Sequence, residues 1–273
     1  MLRKQIFLAA SIALLAFALF GCSSQAPSSQ ASASYEVEQS SSVSSVQEAP
    51  SNASAQSETS TSNTYSAEEP QASQPYVREG AWWVNQDATG TYVYFAVLLA
   101  STDDTNCYTM MPLTVTAKDS SGAILATETF NVTFIAPSDV MPYAGLLTTA
   151  SIPEEVSFDL SFDAGQVPGH PYTLASFAIS NDSEQAINDY ETRWTGEVTS
   201  HAGLDFPGGY WAFAMLYKGN NLVGGYGSYS QAALADGATI PFSVDAAYVG
   251  DVPEHDSYKL YVLPDLLMAA AHG

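Results

Sequence analysis

Positive charge is scarce in this 273-residue sequence: seven Lys and Arg stand against 29 Asp and Glu, a formal net charge of −22. Such a chain repels a phosphate backbone, which excludes nucleic acid as a partner and argues against an anionic membrane surface as one. Histidine is almost as sparse. The four, His170, His201, His255 and His272, lie outside metal-ligand spacing of one another and of either cysteine, so neither a metal site nor a cofactor is expected. No Gly-x-Ser-x-Gly occurs, which leaves a Ser/His/Asp hydrolase without its nucleophile turn. With two cysteines in all, at Cys22 and Cys107, a disulfide framework is excluded as well. Beyond residue 75 no long stretch repeats its apolar residues at helical spacing, while Val, Ile, Thr, Tyr, Phe and Trp dominate, so the fold class expected is all-β.

The first 21 residues differ from everything that follows. Arg3 and Lys4 precede an apolar run from Ile6 to Phe20 interrupted only by Ser11, and Gly21 comes immediately before Cys22. A basic start, a short apolar core and a small residue at the end make an export signal, residues 1–21. Removing it takes both of its cations, leaving five basic residues against 29 acidic ones, so that −22 becomes −24. Leu19-Phe20-Gly21-Cys22 resembles the lipobox of bacterial lipoproteins. The resemblance implies that Cys22 receives diacylglycerol on its sulfur, that the signal is cut just before it, and that the membrane is a partner through this anchor on the extracellular face of the cell. With Cys22 acylated, Cys107 has no intramolecular partner and reads as a small buried hydrophobe.

Residues 22–74 are built almost wholly from Ser, Ala, Gln, Glu, Pro, Asn and Thr, with isolated Tyr35 and Tyr65 and no apolar period. That composition cannot pay for an ordered core, so a disordered acidic tether is expected. From residue 75 the pattern becomes that of short strands. Both faces are apolar over 92–99, whereas 113–118, 129–134 and 156–162 alternate apolar with polar residues, as half-buried strands do. The turns Asp87-Ala88-Thr89-Gly90, Asp119-Ser120-Ser121-Gly122 and Lys218-Gly219-Asn220-Asn221 separate strand pairs. The order then repeats: Ser151-Ile152-Pro153-Glu154 introduces the strand at 156–162 as Asp251-Val252-Pro253-Glu254 introduces that at 258–263. We therefore expect two tandem immunoglobulin-like or fibronectin-like sandwiches, residues 75–166 and 167–264, followed by a tail at 265–273. Residues 190–198 supply a further strand, and whether the two modules share one core is open at this level.

The second module also resembles the FxLYD-type domain of bacterial surface lipoproteins, through Ile179-Ser180-Asn181-Asp182-Ser183, the strand 213–217 with Leu216-Tyr217, the turn Lys218-Gly219-Asn220, and Ala235-Asp236-Gly237 ahead of Pro241-Phe242. The first module matches it more faintly, keeping an Asp at the turn (Asp119) without the Leu-Tyr pair. The resemblance implies a small extracellular sandwich with no catalytic residues to carry over.

Function then reduces to surfaces. The aromatics Trp82, Trp83, Tyr210, Trp211, Tyr226 and Tyr229 either fill cores or offer a platform to a sugar or peptide, and the adjacent pair Trp82-Trp83 is conspicuous because neighbouring strand residues face opposite ways. Acid pairs at Asp103-Asp104, Asp182 with Glu184, Asp189 with Glu191, and Asp251 with Glu254 and Asp256 fall between strands without EF-hand spacing. The expectation is a lipid-anchored, non-enzymatic cell-surface protein that binds or scaffolds an extracellular protein or glycan. The alternatives are an enzyme using His255 and its neighbouring carboxylates, and a plain surface spacer.

Overall fold

The computed structural model describes residues 62–68, 70, 72–162, 167–168, 172–188, 191–247 and 252–265. The export signal, Cys22, most of the tether and residues 266–273 lie outside that set. Its strands are β1 (Asn63–Ser66), β2 (Pro75–Asp87), β3 (Gly90–Ser101), β4 (Asn106–Lys118), β5 (Ile124–Ile135), β6 (Val140–Thr149), β7 (Glu155–Leu160) and β8 (Val167–Pro168). A short 3₁₀ turn, Leu174–Ser176, leads into β9 (Phe177–Asn188), β10 (Glu191–Ser200), β11 (Tyr210–Lys218), β12 (Asn221–Ser230), β13 (Thr239–Ala247) and β14 (Ser257–Pro264). The fold is all-β, and the strand expected at 190–198 is β10.

Four antiparallel sheets result, in the orders β1-β2-β3-β6, β5-β4-β7, β13-β10-β9 and β12-β11-β14, with β8 added to the far end of β4. Strands β9 to β14 repeat the connectivity of β2 to β7 one for one: the first, second and fifth strands make one sheet, the third, fourth and sixth the other. That is the A-B-E and C′-C-F arrangement of an immunoglobulin-like sandwich without its last strand. The turns hold as their residues require. Asp119 Oδ1 accepts from the Ser121 and Ala123 amides at 2.8 and 3.0 Å, and Gly219 takes a φ of 60° between the paired residues Lys218 and Asn221.

The repeats do not stand apart. The sheet of β2, β3 and β6 packs on β5 and β7 with one face and on β12 with the other, and β12 and β14 pack in turn on β13 and β9, so the four sheets are layered. This accounts for β3: Val93, Phe95, Val97 and Leu99 are buried on one face and Ala96 and Leu98 on the other, because its sheet is covered on both sides. The same cover resolves the paired tryptophans. Trp82 sits opposite Phe95, and the Phe95 ring meets Phe130 and Phe158 of the first repeat. Trp83 turns the other way, stacks on Tyr94 with centroids 5.5 Å apart, and meets Tyr226 of the second repeat edge-on, also at 5.5 Å. Tyr226 in turn stacks on Trp194. A glycine permits the approach: a Cβ on Gly225 would lie 3.0 Å from both the Ala96 Cβ and the Ala214 carbonyl oxygen. The buried side chains of both repeats accordingly form one contiguous hydrophobic cluster.

Order also begins earlier than the composition suggests. The tether was expected to run to residue 74, yet Asn63–Ser66 pairs with β2 from Ser66↔Glu79 to Asn63↔Trp82. The physical reason is the edge of β2, whose free amides and carbonyls accept any short extended segment, and Tyr65 adds an edge-on contact to Phe158 at 6.2 Å. A chain beginning at Pro75 should therefore lose a few net hydrogen bonds and one aromatic contact, about 1–3 kcal/mol, and melt roughly 2–10 °C below a chain beginning at Cys22. Coincident melting curves would show that β1 contributes nothing.

Candidate functional site

His255 is the one histidine the sequence places among carboxylates, and its surroundings are set by a strand irregularity. Between Ser180 and Ser183, β9 carries one residue more than β10 does opposite, with Asn181 at a φ of 52°. Asp182, in the bulge, and Glu184, just beyond it, both reach the start of β14. Asp182 accepts from the Tyr258 hydroxyl at 3.0 Å, and both Glu184 oxygens lie 3.1 Å from His255 Nε2. His255 Nδ1 is 2.8 Å from the Pro253 carbonyl. The sequence neighbours are engaged elsewhere: Glu254 pairs with Lys218 at 2.9 Å, and Asp256 accepts from the Gly219 amide at 2.8 Å. Each ring nitrogen thus already faces an acceptor, and what the arrangement does is tie β9 to the segment entering β14. Burial, followed by the hydrogen bond to Asp182, pushes the Tyr258 hydroxyl up to about 12.

The acid pairs do not converge. Among the described residues no group of three or more His, Cys, Asp or Glu is placed to hold a metal ion, and Asp189 and Asp251 lie outside the described residues. Asp103 shows what one of these acids does instead. It is buried, its Oδ1 accepts from the Thr105 and Asn106 amides and its Oδ2 from the Asn106 side chain and the Tyr108 hydroxyl, all at 2.8–2.9 Å. These donors, the Asn106 side chain foremost, hold the carboxyl well below the usual carboxylate range, and they fix the crossing from β3 to β4. Since the folded value lies below the unfolded one of about 3.9, the stabilisation is present above that pH and drains away as pH falls toward the folded value. Asp103→Asn is expected to lower the urea midpoint at pH 7 and to close on the parent protein as pH drops below about 4. A gap that does not change with pH would mean that the ionised form is not what matters.

The aromatic residues separate by strand face. Tyr210 and Tyr226 are buried along with Trp82 and Trp83, whereas Trp211 and Tyr229 are 37% and 40% exposed. These two are directly opposite on β11 and β12, with ring centroids 5.1 Å apart. Tyr229 is held in place by donating to the Gly208 carbonyl at 2.6 Å, and Trp211 by stacking on the buried Phe213. Tyr229 forms one lip of an open cleft of about 670 Å³ between the outer strands β12 and β13, lined also by Ser228, Ser230, Ser243 and Asp245. Arg193 lies behind that carboxylate, bonded to Asp245 and, at 3.0 Å, to Glu191. The surface therefore offers two fixed, partly exposed rings in contact, one of which, Tyr229, also borders the hydroxyls and carboxylate of the cleft. Sequence reasoning named both rings but not their exposure; the signal is that Tyr210 and Trp211 alternate, so only one of them can enter the core.

No family model matches the chain, and no curated protein matches it. Among solved structures it is similar to red sea bream transglutaminase, at 10% identity and a TM-score of 0.23, over 67% of this chain and 29% of that one. The chain thus spans less than a third of that enzyme's length, and the likeness is too slight to carry an activity across.

Proposed function

We propose that the protein is a lipid-anchored component of the bacterial cell surface, held through Cys22, whose paired β-sandwiches bind an extracellular protein or glycan and catalyse no reaction. The observation that carries the binding role is the exposed, mutually packed pair Trp211 and Tyr229, of which Tyr229 also borders the open cleft. Fixed aromatic faces, one of them beside hydroxyl and carboxylate groups, suit a ligand with apolar C–H surfaces and many hydroxyls, or the side chains of a partner protein, and they order little on binding because their partners already hold them. The anchor reading is supported by the run from Arg3 to Cys22.

Two measurements test the two halves of this reading. Cys22→Ala is expected to abolish labelling by a palmitate analogue and to leave the protein uncleaved or shed into the medium; labelling equal to the parent's would end the anchor reading. Retention of the soluble protein on whole bacteria and on a glycan array should drop at least about tenfold for Trp211→Ala with Tyr229→Ala, the usual scale for losing aromatic anchors. A plain spacer would show no retention to lose, and an enzyme acting through His255 would keep its retention in this variant.

A further inference from the structure

We propose that the open edge of β14 is a docking site for an extended acidic peptide, which joins the sheet as an added strand. Among the described residues the sixth strand of each repeat pairs on one side only, and in an immunoglobulin-like sandwich the position beyond it belongs to a seventh strand. Along β14 every second residue consequently turns its amide and carbonyl away from β11, and no proline interrupts the strand before Pro264. A cleft of about 450 Å³ follows this edge. Its walls are Leu174, Phe177, Ile179 and Val262, which give alternate side chains of an added strand an apolar seat, and Arg78 and Lys259 are its cations.

Charge selects the occupant. Of the five basic residues left after the signal segment, Arg78, Lys118, Arg193 and Lys218 each meet a carboxylate within 3.0 Å. Lys259 alone has no such pair among the described residues; its ammonium lies 4.9 Å from the centre of the Tyr261 ring, and both residues line the cleft. In a chain with 29 acidic residues an unpaired lysine is the exception, and Arg78, bonded to Glu79 through one edge of its guanidinium, keeps further donors. The carboxylate in the wall, Asp139, does not compete for them, since its oxygens accept from the Val140 and Leu174 amides at 2.8 and 2.7 Å. At about 0.15 M salt the screening length is near 8 Å, so a bound peptide feels these local cations more than the negative charge of the molecule as a whole. Main-chain bonds supply affinity, and alternate apolar and acidic side chains supply selectivity. This cleft lies on the opposite edge of the second repeat from the one bounded by Tyr229, and the two sites are independent.

The probe is a fluorescein-labelled octapeptide of alternating Val and Glu, titrated by anisotropy into the full mature chain with Cys22 replaced by Ser. Binding is expected in the micromolar range, with new hydrogen-exchange protection at residues 257–264, at least a tenfold loss for Lys259→Glu, and no change for Trp211→Ala. The same peptide with every second amide N-methylated should fail to bind, as should alternating Val and Lys. The proposal is overturned if either control binds as tightly, if Lys259→Glu binds like the parent, or if oleate occupies the cleft and the peptide does not. It is also overturned if Lys259→Ala strengthens binding, because the lysine would then be a guard against strand addition.

Discussion

Trp83→Ala is expected to destabilise both repeats at once, by about 3–5 kcal/mol. The ring is fully buried on the face of β2 that looks at the second repeat, stacked on Tyr94 and in edge contact with Tyr226, which itself stacks on Trp194 of β10. Removing it empties the middle of a continuous aromatic ladder, and Gly224 and Gly225 have no side chains to fill the gap. For a folded part of this size the loss corresponds to a fall in Tm of roughly 6–20 °C. The informative readout is where amide protection falls: β2 and β3 should lose it, and so should β10 and β12. If the second repeat keeps its protection, the contact between repeats is incidental to stability.

What the sequence makes legible here is whatever one strand and its turn decide between them. The alternation of Leu113, Val115 and Ala117 with Thr114, Thr116 and Lys118 names the buried face of β4 without reference to any partner, and Asp119 closes its own turn. The doubly apolar strand β3 announces that both faces are covered, but not that the cover on one side is the glycine-rich strand of the other repeat, because nothing local encodes which sheet arrives. The same limit hid the partner of His255. Glu254 and Asp256 are its neighbours in the chain, yet strand geometry turns them elsewhere, and Glu184, 71 residues away, reaches the ring by way of the bulge at Asn181. Asn63–Ser66 was illegible for the opposite reason: its four residues are all exposed and carry no apolar pattern, so its strand conformation comes from the open edge of β2 rather than from its own composition. Cys22, on which the anchor depends, lies outside the described residues, and its reading rests on the sequence alone.

Phe158→Ala and Phe242→Ala, each also costing about 3–5 kcal/mol, should produce the same single melting transition displaced to lower temperature. The two residues occupy equivalent places in the interiors of their own sandwiches: Phe158 lies against Gly80 and Phe95 in the first, Phe242 against Gly196 in the second. Neither is in the layer between the repeats, so each mutation leaves the Trp83 to Trp194 ladder in place. Were the repeats joined only by a modest interface, as tandem domains commonly are, Phe158→Ala would melt residues 76–162 and spare 172–263, and Phe242→Ala would do the reverse. The contiguous cluster argues otherwise. A first repeat that unfolds uncovers Gly225 and the Tyr226 ring of β12 and the Phe213 ring of β11, an apolar surface that the second repeat cannot hide alone. That exposure costs the second repeat stability of its own, so the slowest-exchanging amides of both halves should speed up together under either mutation. Two separate transitions, or full protection persisting in the unmutated half, would show that each sandwich stands on its own core.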